Sequence, residues 1–201
     1  MNRSAMITGG LSLALLVLPA TIGCQQTQLA MDYQIKVDRE FDVEHVKETE
    51  VFRSGEKFRL RVTTHHDGYV YIFNKGTSGQ YNLLYPRPEV NEGSAFVPGW
   101  EHVMVPARGA FQFDAQDGLE TLVICAAKKA LPELDRIVHG EVSEPAEIDR
   151  CLHELEAESR RGGSMTKTHH PGHTQVVLES PKGDAIMVNT IRLEHRWPDG
   201  S

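Results

Sequence analysis

EKFRLRVTTHHDGYVYIFNKGTSGQYNLLYP, Glu56 to Pro86, changes its hydrophobic pattern part-way along, and the change decides the fold class. Phe58, Leu60 and Val62 alternate with Lys57, Arg59, Arg61 and Thr63, which is the period-two signature of a strand with one dry and one wet face. After HHDG the run YVYIFN is apolar at every position up to its asparagine and rich in β-forming side chains, so it reads as a second strand with both faces covered. Asp67-Gly68 supplies the backbone angles of a tight hairpin turn, and KGTSGQ forms the next turn, before a third strand, YNLLY, stopped by Pro86.

The same grammar extends outward. Tyr33, Ile35 and Val37 alternate in a first strand, and the charged segment Glu40 to Glu50 is a connection. Prolines 86, 88 and 98 bracket a long link from which AFVP and EHVMVP emerge as short edge strands, AFQFDA alternates again, and Asp117-Gly118 turns into the central strand LETLVICAA. Short strands separated by Gly, Pro, Asn and Asp turns predict an all-β fold, an antiparallel β-sandwich of immunoglobulin-like type. One amphipathic helix is added at about residues 144–161, with Ser143 as its cap, Ile148, Cys151, Leu152 and Leu155 on one face, and Arg160, Arg161 and Gly162 at its end. RGGSMTKTHHPGH reads as a flexible loop, and TQVVLES, PKGD and AIMVNTIRLEH as a C-terminal hairpin over about 174–195.

The N-terminus has a different character. Arg3 precedes an apolar run from Ile7 to Leu18, which is shorter than the ~20 residues of a stable membrane span and matches an export signal. Thr21-Ile22-Gly23-Cys24 resembles the lipobox of bacterial lipoproteins, whose cysteine is acylated after cleavage; Thr21 stands where leucine is usual. The alternative is an ordinary secretory signal followed by an incidental cysteine. Lipidation at Cys24 implies a signal peptide over 1–23, a polar tether over 24–31 and one domain over 32–201. Gln25, in place of an aspartate after the cysteine, favours the outer membrane, facing the periplasm.

The segments RSGEKFRLRV, DGYVYIFN, LLYP, VMVPARGAFQFD and DGLETLVICAA together resemble a bacterial domain-of-unknown-function family. That family is found beside serine/threonine kinase domains or caspase-like peptidases and also as a stand-alone exported lipoprotein. The resemblance spans roughly Val51 to Leu134 and rests on structural residue types, so it implies a β-rich fold and carries over no catalytic or ligand-binding residue.

Chemistry is sparse. With 201 residues and a formal charge of -7, the chain has room for one ordinary core and lacks the basic face that a nucleic-acid partner requires. His169, His170 and His173 in the HHPGH segment are weak metal candidates, with His65 and His66 as a second pair. HELEA, His153 to Ala157, has alanine where a zinc-protease helix has its second histidine. GTSGQ lacks the Gly-Lys-Ser/Thr ending of a phosphate loop. Two readings fit Cys125 and Cys151: a disulfide in an oxidising compartment, or two buried small apolar residues. Tyr69, Tyr71, Tyr81 and Tyr85 form either part of the core or a binding platform. The expectation is a non-enzymatic, lipid-anchored envelope protein that binds or scaffolds a protein partner and carries no cofactor. The competing expectations are a metal-dependent envelope hydrolase built on His169, His170 and His173, and an accessory subunit of a secretion or signalling assembly.

Overall fold

A computed structural model describes residues 27–39, 42–114, 116–181 and 183–197. The segment read as an export signal and Cys24 lie outside the described residues. In chain order the elements are β1 (Thr27–Arg39), β2 (Asp42–Val46), β3 (Phe52–Arg53), β4 (Lys57–Thr64), β5 (Gly68–Lys75), β6 (Tyr81–Tyr85), β7 (Phe96–Val97), β8 (His102–Val105), β9 (Phe111–Gln112), β10 (Gly118–Ala127), α1 (Pro132–Val138), α2 (Pro145–Gly162), β11 (Ser164–His170), β12 (His173–Ser180) and β13 (Ile186–Arg196).

The strands form two sheets. One has the order β11-β12-β1-β4-β8, with β2 beside β1 and β9 beside β4; the other has the order β3-β13-β10-β5-β6, with β7 beside β5. All pairings between named strands are antiparallel except the short β13–β3 contact. Their inner faces enclose the main core, in which Phe58, Leu60 and Val62 of β4 meet Val70 and Ile72 of β5, Leu122 and Ile124 of β10, and Met187 and Ile191 of β13. Each fully buried aliphatic or aromatic side chain there contributes roughly 1.5–3 kcal/mol relative to exposure.

A third layer explains why YVYIFN is apolar on both faces. Tyr71 and Phe73 point away from the main core into a second cluster with Val123, Cys125 and Val188, and α1 and α2 cover that cluster with Leu134, Ile137, Ile148, Leu152 and Leu155. The molecule is therefore an all-β sandwich with helices packed on one sheet, and that sheet carries its apolar residues on both faces. No helix among the described residues is long and apolar enough to cross a membrane.

Several local expectations are corrected. Residues 27–31 of the region read as a polar tether already belong to the fold: they lie in β1, and Leu29, Ala30 and Met31 are buried against β12. HHDG is no hairpin turn, because β4 and β5 lie in different sheets and the segment arches between them. Gly68 is needed there for close approach, since a Cβ would sit 2.7 Å from the Ala127 carbonyl oxygen. RGGSMTKTHHPGH is mostly strand β11, paired with β12 around a turn at Pro171-Gly172. The last two strands do not form a hairpin with each other: β12 joins the first sheet and β13 the second. Their burial patterns show why, for β12 alternates as a one-sided strand should, whereas Met187, Val188 and Asn189 of β13 are buried in succession. Among the described residues two α-helices are present rather than one, the additional α1 being less than two turns long and opened by Pro132. The cap position of α2 is Glu144, which makes no side-chain cap bond, and Pro145 rather than Ser143 sets the helix start.

Candidate binding cleft

The outer face of the helix-bearing sheet changes composition along its length, and the strand register shows where. Going down the sheet, Tyr69, Ala127 and Ile186 lie side by side, then Tyr71, Cys125 and Val188, then Phe73, Val123 and Thr190, and finally Lys75, Thr121 and Arg192. The first two rows are apolar and lie under α1 and α2, and the third reaches the open surface with Thr190. The lowest row is polar and unsealed, and between it and α2 lies a cleft of about 430 Å³, lined also by Thr77, Tyr81, Asp149, His153 and Glu156.

One wall of the cleft is fixed by a three-residue network. Lys75 and Tyr81 face each other across the β5–β6 hairpin, and both reach Asp149 of α2: Lys75 Nζ lies 2.6 Å, and Tyr81 Oη 2.5 Å, from the same carboxylate oxygen. Lys75 Nζ also sits 5.0 Å from the centre of the Tyr81 ring. The bonds from Lys75 and then Tyr81 hold the Asp149 carboxyl below its ordinary range, and the bond to Asp149 raises the Lys75 ammonium. Burial, followed by the Asp149 carboxylate, raises the Tyr81 phenol. This network is solvent-accessible, so it orients the wall more than it stabilises the fold. Glu156 is paired with Arg160 at 2.7 Å, and Asp149 is engaged by Lys75. Arg192 lines the same cleft and makes no ion pair among the described residues.

The four tyrosines are divided rather than gathered into a platform. Tyr71 is fully buried; its hydroxyl donates to Asp135 Oδ1 at 2.7 Å and accepts the Leu131 N–H at 3.2 Å, tying α1 to the sheet. Tyr69 is half-buried and edge-on to Phe96. Tyr81 belongs to the cleft. Tyr85 lies on the other side of the sheet, in the main core, donating to the Ser94 carbonyl at 2.8 Å. The strict alternation that would align Tyr81 with Tyr85 is broken by a register shift of β6 opposite Ile72/Phe73.

The three histidines of HHPGH also part company. His170 and His173 are opposed across the β11–β12 turn with ring centres 4.8 Å apart, while His169, on the alternate face, bonds Thr174 Oγ1 at 3.0 Å. Among the described residues no group of three or more His, Cys, Asp or Glu is placed to hold a metal ion. His65 instead stacks on Trp100 and lies 3.0 Å from Asp32, and His66 Nε2 accepts the Ala30 N–H at 2.9 Å. Cys125 and Cys151 are free thiols; Cys125 is buried, Cys151 half-buried, and burial raises both. Sequence reasoning missed Lys75, Asp149 and Arg192. The signal for them is visible only once the strand register is known, as the point where the outward positions of β5, β10 and β13 turn polar together.

Residues 51–130 match the family model of a domain of unknown function (DUF4384). No curated protein and no solved structure matches the chain. The matched segment runs from β3 through β10 and supplies strands to both sheets, but it omits β1, α2 and β13. The candidate cleft therefore lies at the seam between the matched segment, which provides Lys75, Tyr81 and Thr121, and the later chain, which provides Asp149 and Arg192.

Proposed function

We infer that this chain is a non-catalytic binding module of the bacterial envelope, lipid-anchored through Cys24 at the outer membrane, that holds an acidic segment of a protein partner in the cleft beside α2. The observation that carries the reading is the charge state of the cleft. Its carboxylates are already engaged, Asp149 by Lys75 and Tyr81, and Glu156 by Arg160, while Arg192 stands on the opposite wall without an ion pair among the described residues. A guanidinium so placed suits a carboxylate, which it can bind through two parallel hydrogen bonds. The size of the cleft, about 430 Å³, accommodates a few side chains rather than a whole interface. The anchoring part of the reading is supported by the Thr21-Ile22-Gly23-Cys24 sequence, and its location by Gln25.

Mild crosslinking and pull-down from membranes tests the binding role. The wild-type chain is expected to capture a partner, Arg192→Glu to lose it, and Arg192→Lys to retain it weakly because an ammonium lacks the bidentate fork. Recovery of the protein alone, or equal capture by Arg192→Glu, refutes the cleft assignment. Globomycin treatment tests the anchor separately, and absence of precursor accumulation refutes acylation at Cys24.

A further inference from the structure

We propose that the end of the sandwich carrying Trp100 and Phe96 rests on the lipid surface, so that the domain has a fixed orientation on its membrane. This deepens the anchoring reading and rests on it. Cys24 is three residues before Thr27, where β1 begins. Three residues of fully extended chain reach no more than about 11 Å, so an acylated Cys24 leaves no free linker and brings the start of β1 to the bilayer.

At that start the register sets Thr27 and Gln28 opposite Ser180 and Glu179, and three to four residues further along β1 the chain reaches the aromatic end. Ala30 bonds His66, Met31 is opposite Thr64, and Trp100 donates its N–H to the Thr64 carbonyl while its ring stacks on His65 at 4.3 Å. Phe96 lies beside Tyr69 at the same end. Trp100 is 70% exposed and Phe96 40% exposed. Large aromatic rings are costly to leave in water and are favoured at the headgroup level of a bilayer, where an apolar body and a polar N–H both find partners. Exposed apolar side chains also occur at the far end, where Trp197 is 50% exposed near Asp117. Exposure alone therefore does not choose an end; the short reach from Cys24 does. Lys128, just past the end of β10 on the anchored side, adds charge that suits anionic headgroups, whereas Lys129 is paired with Asp184 at 2.7 Å.

The two tryptophans make the test internal. Full-length lipidated chain is purified as Trp197→Phe, retaining Trp100, and as Trp100→Phe, retaining Trp197. Both are reconstituted into vesicles of phosphatidylethanolamine and phosphatidylglycerol with brominated acyl chains, and acylation is measured by mass on the same samples. Trp100 emission is expected to fall by about half or more and Trp197 emission to be unchanged. A Phe96→Trp chain lacking both native tryptophans is expected to behave like the Trp100 protein. Acylated protein whose Trp100 is quenched no more than Trp197 overturns the orientation and leaves the anchor intact. Protein without acyl chains overturns the anchor, and the orientation falls with it. Trp100 shielded from aqueous acrylamide in native membranes but not quenched by brominated lipid shows that a protein covers this face, which also overturns the proposal.

Discussion

Gly68 and Asn189 carry opposite stability predictions. Gly68 begins β5 where the chain arches from one sheet to the other, and the Ala127 carbonyl oxygen occupies the place of a β-carbon. Gly68→Ala is expected to destabilise the protein by about 1–3 kcal/mol, the usual cost of overpacking, as read by urea denaturation. An unchanged midpoint would mean that the arch gives way freely. Asn189 is buried in β13 opposite Ile124, and neither its amide oxygen nor its nitrogen finds a partner among the described residues. Replacing a buried unsatisfied amide by an apolar β-former removes a desolvation cost, so Asn189→Val is expected to raise stability by about 1 kcal/mol. A loss of stability in the same titration would show that the amide is satisfied.

At the scale of elements, the start of β1 is expected to respond to acid. His66 Nε2 accepts the Ala30 N–H, so its imidazole is unprotonated in the fold, and burial, then the nearby Lys128 charge, holds its pKa below the ordinary value. His45 is shifted the same way, by burial and then by Lys36. The unfolded chain takes up these protons first, near the ordinary pKa of about 6.5. The stability they supply is full above that pH and is lost as pH falls through it towards the lower folded value. Hydrogen exchange at the Ala30 amide, corrected for intrinsic rate, is expected to show protection falling between pH 7 and pH 5, and His66→Phe to show low protection at both. Constant protection in the wild type would exclude His66 as the acceptor that matters. What the sequence disclosed at this scale follows from its apolar pattern: β4 and α2 are legible because their apolar residues recur at a strand or helix period, and β5 and β10 because they are short unbroken apolar runs next to turn residues. Sheet membership is less legible. A turn sequence such as HHDG or PKGD reverses the chain equally well within a sheet or between sheets, and only burial on one face or two decides, as β12 and β13 show. The cleft was hidden for the same reason, since Lys75, Thr121 and Arg192 become neighbours only through pairing.

The whole molecule is larger than the segment that a family model recognises. Residues 51–130 lack β1, which is central to one sheet, and β13, which lies beside β10 in the other. Removing them uncovers Leu60, Val62, Leu122 and Ile124, so a chain limited to 51–134 is expected to give a disordered circular dichroism spectrum, whereas a chain with 27–197 is expected to fold. A cooperative thermal transition in the shorter chain would refute this dependence. The pairing of β1 has a kinetic consequence. Leu29 is opposite Leu178, so β1 completes its sheet only with a strand that the ribosome makes much later. Closing a loop of that length comes late and slowly in folding, because its entropy is spent before any contact repays it. β1 and β12 thus stay apart until the residues between them have been made, and the edge of β1 that faces β12 is the last part of that strand to be covered.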